Sequence, residues 1–422
     1  MNILIVGNGI AGNEVAFRVK NLLPDSAVTL LSAESCTEYD PCSLPYYVSG
    51  KWPRDVVFRR SIRDYAEQGI DLRCNREAVA IDRTRKTVIT REGEGFDYDK
   101  LVLALGGSVF VPPIAGVHLE GVFKCKQLSD ADALANQNGS QAVVIGSGAI
   151  GIEAAEALFL RGVAVTILEL MDWIAPVLFD APTADRFEAG IRRHGIAVHT
   201  REKVLSIEGD GGKVCAVRTD QREIPCDTVV LATGVAANSA MAKDAGLTVG
   251  KGIVVNAFMQ TNDPDIYACG DCVETVDACT GETAMYQLKH NALEQARIAA
   301  MHIAGRPVPY RGAYAFARLH FLDIHAVTFG KTQRSTACEL GELEIVERES
   351  DAGDYLRIIA KDGVVVGGQA IGAFGNDMGL WMTAMWRRDP IQDIRNLPYR
   401  YWGRPVGAPW PRRRLSQWLS QP

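Results

Sequence analysis

The sequence predicts an α/β protein with two Rossmann-like, doubly wound domains and a C-terminal α+β domain. Three observations predict it. NILIVGNGIAGNEVAFRVKNLL (residues 2–23) runs from a buried-strand pattern through a glycine turn into a helix. The same succession returns at QAVVIGSGAIGIEAAEALFLRGVAVTILEL (141–170). After Pro309 the pattern changes to short strands separated by turn signals, followed by helix.

In the first segment Gly7, Gly9 and Gly12 form G-x-G-x-x-G. The spacing supplies a tight turn, a backbone that a pyrophosphate can approach, and close helix–strand packing, with phosphates on the helix N-terminus. VTLLSAE (28–34) is the second strand, and Glu34 at its end joins the glycines as a residue of this first nucleotide site. In the second segment the glycines are Gly146, Gly148 and Gly151. Its second strand ends in Glu169, placed to accept from a ribose 2′-OH. That carboxylate repels a 2′-phosphate and no arginine follows it, so NADH is expected over NADPH. A repeated fingerprint implies two facing nucleotide sites, the arrangement in which a nicotinamide reduces a flavin.

Later segments extend both sites. LVLALGGSVFVPPIAG (101–116) and VVLATGVAANS (229–239) are apolar strands ending in small residues, Gly106 and Gly234 among them, where the chain can cross between domains. DPDIYACGDCVE (263–274) puts Gly270 and Asp271 at a strand end, where an aspartate can hold a flavin ribityl chain. KHNALEQARIAAMHIAG (289–305) has helical spacing. The expected division is 1–112 with 236–312 for the first nucleotide domain, 113–235 for the second, and 313–422 for the C-terminal domain.

Composition excludes several classes. Of 422 residues, 47% are hydrophobic and 23% charged, as in soluble globular proteins, and the length suits two or three domains. A net charge of −6 gives no reason to expect nucleic acid. No apolar run reaches membrane-spanning length, and MNILIVGNG shows no basic n-region or cleavage site. A cytoplasmic protein without membrane association is expected, its ten scattered cysteines free thiols. No metal is expected: the histidines are scattered, and Cys269, Cys272 and Cys279 lack a fourth ligand at a recognised spacing.

YDPCSLPYYVSG (39–50) carries the candidate catalytic residue, Cys42. Pro41 favours a helix start there, and a helix N-terminus stabilises a thiolate. Cys36 lies in a loop-like stretch and makes a poor redox partner. CGDC (269–272) falls within the Gly270–Asp271 box and reads as packing rather than a redox pair. His290 reads as a helix-surface histidine. Glu153 either helps place the nicotinamide or is an ordinary helix glutamate.

Together these motifs resemble the FAD-dependent pyridine nucleotide–disulfide oxidoreductases, in the family's order and over nearly the whole chain. The resemblance implies FAD on the first fingerprint with Asp271 on its ribityl chain, and NAD(P)H on the second. One cysteine before Leu44-Pro45-Tyr46-Tyr47 is similar to the single-cysteine branch: coenzyme A disulfide reductases, NADH oxidases and peroxidases, and sulfur reductases. Departures accompany the match. Ala104-Leu105-Gly106 stands where the family has ATG. Ile10 replaces the histidine of the oxidases, Ala149 the tyrosine that covers the flavin, and Lys20-Asn21 the basic pair of the coenzyme A enzymes.

In that family the C-terminal domain pairs two subunits, and a loose match aligns Tyr401 with a tyrosine reaching the partner's site. Trp381, Trp386, Trp402, Trp410 and Trp418 are interleaved with arginines and prolines, a composition suited to a protein partner. Arg412-Arg413-Arg414 reads as a solvated tail. Two functions follow. In one, Cys42 carries electrons from FAD to a disulfide, persulfide or polysulfide in a free-standing enzyme, a homodimer by the family's habit. In the other, the chain is the FAD/NAD(H) subunit of an iron–sulfur complex of the aldehyde or 2-oxoacid oxidoreductase type.

Overall fold

A computed structural model describes residues 1–336 and 342–391. The chain divides into two units: Met1–Pro176 with Ile191–Ala315, and Val177–Gly190 with the chain from Phe316 onward.

The first unit contains both nucleotide-type sheets. One is five-stranded and parallel, in the order Ile266–Ala268, Lys100–Leu103, Asn2–Val6, Ala27–Leu31, Ile70–Arg73. Residues 3–6 of the Asn2–Val6 strand are an unbroken apolar run because both faces are covered there. Ile3 and Ile5 pack on one side with Val15, Val19, Tyr267 and Ala296, while Leu4 packs on the other with Leu103, Ile253 and Val273. The chain winds outward from Asn2–Val6 through two strands, then returns to its other side with Lys100–Leu103. Strand order reverses at that point, and the C-terminal ends there form the crevice where such folds bind ligands.

The second sheet repeats the plan, in the order Ala197–His199, Ala164–Leu168, Gln141–Ile145, Thr228–Leu231, Val122–Phe123, again all parallel. Its reversal falls between Gln141–Ile145 and Thr228–Leu231. Each fingerprint is followed by its helix, Ile10–Leu22 and Ala149–Leu160. The helix after the flavin-type box is Lys289–Ile303.

In the second unit the short strands expected after Pro309 form one antiparallel sheet. Its five strands run Phe316–Phe321, Ile324–Gly330, Val364–Ile371, Tyr355–Lys361, Leu343–Glu349, every pair antiparallel. A helix follows at Met378–Arg387, with Trp381 buried and Trp386 exposed. Within this unit Arg357, Asp180 and Gln369 form a buried polar cluster. The Gln369 side chain donates to Asp180 at 3.0 Å and accepts from its backbone N–H at 3.0 Å. Arg357 lies 3.4 Å from the same carboxylate and also pairs with Glu347. Tyr401, Trp402, Trp410, Trp418 and Arg412-Arg413-Arg414 lie outside the described residues.

Candidate functional site

The two glycine turns are near copies. Gly7 has φ +112° and Gly146 φ +100°, a region that favours glycine. A Cβ on Gly7 would sit 2.1 Å from the Ala104 carbonyl oxygen across the strand reversal; on Gly146 it would sit 2.4 Å from that of Ala232. A Cβ on Gly12 would fall 1.9 Å from the Gly7 carbonyl oxygen, and on Gly151 2.0 Å from that of Gly146. Close backbone packing therefore explains the first and third glycine of each motif. The middle ones differ. Gly9 and Gly148 are the N-caps of their helices, make no side-chain cap hydrogen bond, and have no atom within 4 Å of a built Cβ. Each turn therefore has open space beside the first residue of its helix, where a dinucleotide pyrophosphate needs room.

The acids beyond each turn are held. Glu169 accepts from the Ser147 N–H at 3.0 Å, the Ser147 hydroxyl at 2.5 Å and the Met171 N–H at 2.8 Å, which ties its strand end to the glycine turn. Glu34 accepts from the Tyr39 hydroxyl at 3.0 and 3.2 Å, and burial raises its pKa. Gly270 is wedged with its Cβ position 3.1 Å from Ala11, and its N–H donates to Gln295 at 2.8 Å. Asp271 pairs with Lys126 at 3.1 Å. Gly106 and Gly234, φ +65° and +108°, close their strands with open space at their Cβ positions. Both turns, with their acids and glycines, fit dinucleotides.

Cys42 does start a helix. Asp40 is the N-cap, its side chain accepting the Cys42 N–H at 3.1 Å, and Pro41 opens a 3₁₀ turn that passes into Leu44–Val48. This short helix is latched from outside: the Tyr47 hydroxyl donates to Asp132 at 2.9 Å, and Arg54 grips the same carboxylate at 2.7 and 2.8 Å. Tyr46 stacks on Trp52 at 4.6 Å between ring centroids.

The expected lowering of the thiol pKa is corrected. Cys42 is exposed, yet its pKa is pushed up to about 11. Desolvation by the surrounding chain is the main cause, and the Asp40 and Glu153 carboxylates add to it against Lys289. The capping carboxylate offsets the helix terminus, so helix-start placement alone does not activate this thiol.

Glu153 lies on the Ala149–Leu160 helix with its carboxyl pKa raised to about 7, first by desolvation and then by Glu156. Glu156 in turn pairs with Lys51 at 3.4 Å. His290 is corrected too. It is half-buried, its ring 4.5 Å from the Tyr314 ring and its Nε2 3.0 Å from the Tyr314 carbonyl oxygen, and desolvation lowers its pKa. Cys269 and Cys272 are fully buried, and Cys272 Sγ donates to the carbonyls of Leu103 at 3.5 Å and Cys269 at 3.4 Å. Burial pushes Cys272 up to about 12, so this pair packs. Among the described residues no group of three or more His, Cys, Asp or Glu side chains is placed to hold a metal ion.

Three residues escaped the sequence reading: Lys289 on Asp40, Lys126 on Asp271, and Asp132 under the Cys42 helix. None stands in a motif. Lys289 is 249 positions from the acid it contacts, and no local pattern signals such a pair.

Two open glycine turns in one unit, each with its own parallel sheet, define an oxidoreductase built on two dinucleotides. The chain belongs to the pyridine nucleotide-disulphide oxidoreductase family, whose model matches residues 1–302. It is a flavin-dependent NAD(P)H oxidoreductase, using FAD and a nicotinamide nucleotide. It is 30% identical to an NADH oxidase of Methanocaldococcus jannaschii over 95% of this chain and 94% of that one. It is 29% identical to the epsilon subunit of the NADH-dependent phenylglyoxylate dehydrogenase of Aromatoleum evansii, covering 93% of each. Among solved structures, a NAD-dependent persulfide reductase from A. fulgidus superposes with TM-score 0.88 at 30% identity, over 94% of this chain and 79% of that one. No helix among the described residues is long and apolar enough to cross a membrane.

Proposed function

We propose that this chain moves reducing equivalents from NADH to FAD and on through Cys42 to a persulfide, polysulfide or disulfide. One observation carries the reading. An exposed cysteine opens a helix in the unit that holds both dinucleotide turns, in a chain that superposes on a persulfide reductase along 94% of its length. In this reading Gly7, Gly9, Gly12, Glu34, Gly106, Gly270 and Asp271 hold FAD. Gly146, Gly148, Gly151, Glu153, Glu169 and Gly234 hold the nicotinamide nucleotide, with Glu169 favouring NADH. Bound FAD supplies the two-electron relay between nicotinamide and sulfur. The Cys42 thiolate attacks the S–S bond and expels one sulfur as a thiolate, which takes up the proton that Cys42 released, leaving Cys42 in a mixed disulfide. The electron pair from NADH, together with one proton, then returns Cys42 to its thiol form and releases the second sulfur as a thiolate. The division into 1–112 with 236–312, 113–235 and 313–422 remains our assignment of FAD, NAD(H) and interface regions, with a homodimer in the cytoplasm as the working state. Free thiols at all nine described cysteines agree with a reducing compartment.

A second reading is favoured by the match to a phenylglyoxylate dehydrogenase subunit over 93% of both chains. The chain would then exchange electrons with a cluster-bearing partner. Cys42→Ser separates the two. Under the first reading the variant loses NADH-dependent persulfide reduction while its FAD is still reduced by NADH. Intact persulfide turnover would refute thiol exchange, and co-purification with an iron–sulfur subunit would favour the complex.

A further inference from the structure

The Cys42 turn meets the helix Lys289–Ile303 at a single ion pair. Lys289 Nζ contacts one oxygen of Asp40, and the other oxygen accepts the Cys42 N–H at 3.1 Å. The Asp40 backbone carbonyl is held as well, accepting from the Ser43 hydroxyl at 2.6 Å and the Ser43 N–H at 2.9 Å. The Asp40 side chain is three-quarters buried and Lys289 two-thirds buried, so water screens the pair only partly. The groups facing the thiol are few. Asp40 on its own turn and Glu153 on the second fingerprint helix are acids, Tyr46 follows on its own helix, and Lys289 is the cation.

We propose that Lys289 is a positioning residue for Cys42: it fixes the Asp40 carboxylate that holds the cysteine amide, and it supplies positive charge beside the sulfur. The inference deepens the thiol-exchange reading and rests on it. Without Lys289 the sulfur faces two carboxylates and no cation, and Asp40 is free to turn away from the amide. With it, the negative charge of the cap is shared, and a thiolate formed during turnover has a counter-charge. No other described residue fills the role: Lys51 is paired with Glu156 and Arg54 with Asp132.

The test is the pH dependence of Cys42 alkylation by iodoacetamide in FAD-loaded enzyme, read by mass at the Cys42 peptide. Lys289→Met is expected to raise the midpoint by about one pH unit, so that alkylation below the midpoint slows about tenfold. Lys289→Arg should restore most of the wild-type midpoint, and Asp40→Asn should lower it. A midpoint unmoved in Lys289→Met overturns the proposal, as does failure of Lys289→Arg to restore it. Should Lys289→Met not load FAD, the sign of the Asp40→Asn shift decides: a fall supports the electrostatic link and no change refutes it. Cys42→Ser turnover is measured separately. If Cys42→Ser still reduces persulfide while Lys289→Met shifts the midpoint, the positioning role stands and the thiol-exchange reading falls.

Discussion

Replacing Glu153 by glutamine should change the pH dependence of stability in a calculable way. The Glu153 carboxyl titrates at about 7 in the folded chain, against 4.5 for an unperturbed glutamate. Desolvation is the larger cause and Glu156 the smaller. A raised carboxyl pKa means that the folded chain holds a proton the unfolded chain has already released. Stability is therefore full below pH 4.5 and declines as pH rises towards 7. At about 1.4 kcal/mol per pH unit, the whole window corresponds to about 3 kcal/mol. Glutamine cannot ionise and should not show the decline. In urea unfolding of FAD-loaded enzyme, Glu153→Gln should match or trail wild type at about pH 5 and exceed it by about 2–3 kcal/mol at about pH 8. Difference infrared spectra add a direct readout, with a protonated-carboxyl band that fades with a midpoint near 7 and is absent in the variant. Lys51→Met, which removes one cation beside Glu156, should move that midpoint upward. An equal stability difference at both pH values, with no titrating band, would refute the buried neutral carboxyl and its suggested place beside the nicotinamide.

The glycine geometry predicts separable defects. Gly12→Ala puts a Cβ 1.9 Å from a backbone oxygen and should yield protein that no longer retains FAD, seen as loss of the flavin absorbance. Gly151→Ala makes the matching clash at 2.0 Å and should keep the yellow colour while NADH no longer bleaches it under anaerobic stopped flow. In the second unit, Arg357→Met removes the buried guanidinium that contacts both Asp180 and Glu347. It should destabilise by about 3–5 kcal/mol in denaturant titration, and Arg357→Lys should recover part of that loss.

Strand and turn were legible wherever the backbone alone decides. Residues 3–6 and 142–145 had to be continuous apolar runs because both faces are covered, and Gly7 with Gly146 had to be glycine because a carbonyl lies where a Cβ would go. The antiparallel strands after Pro309 were equally plain, since alternation and turn residues sit within a few positions of one another. Charge at the thiol was not legible. Pro41 rightly signalled a helix start, but the same turn is capped by Asp40, and a capping carboxylate beside a cysteine opposes the ionisation that the helix terminus promotes. Nor could the sequence show that His290 turns to the Tyr314 carbonyl, because a helix position alone does not say which loop will cover it.

The contrast has a physical root that bears on how such a chain changes function. The two pyrophosphate-type glycine turns depend on main-chain atoms and glycine clearances, so each is signalled within one short stretch of sequence. The thiol site depends on Lys289, Asp40, Glu153 and the Arg54–Asp132 latch, whose charges come from separate stretches of the chain. Any one of them can be exchanged without disturbing a sheet. A chain can therefore keep hydride transfer between its two nucleotides while a single substitution at Lys289 or Asp40 resets how readily Cys42 ionises. If that is right, Lys289→Met and Asp40→Asn should alter the rate of Cys42 alkylation in opposite directions while NADH titration of the flavin in both variants still ends at two electrons per FAD. A nucleotide site that failed along with the thiol in both variants would show that the two sites are not built independently.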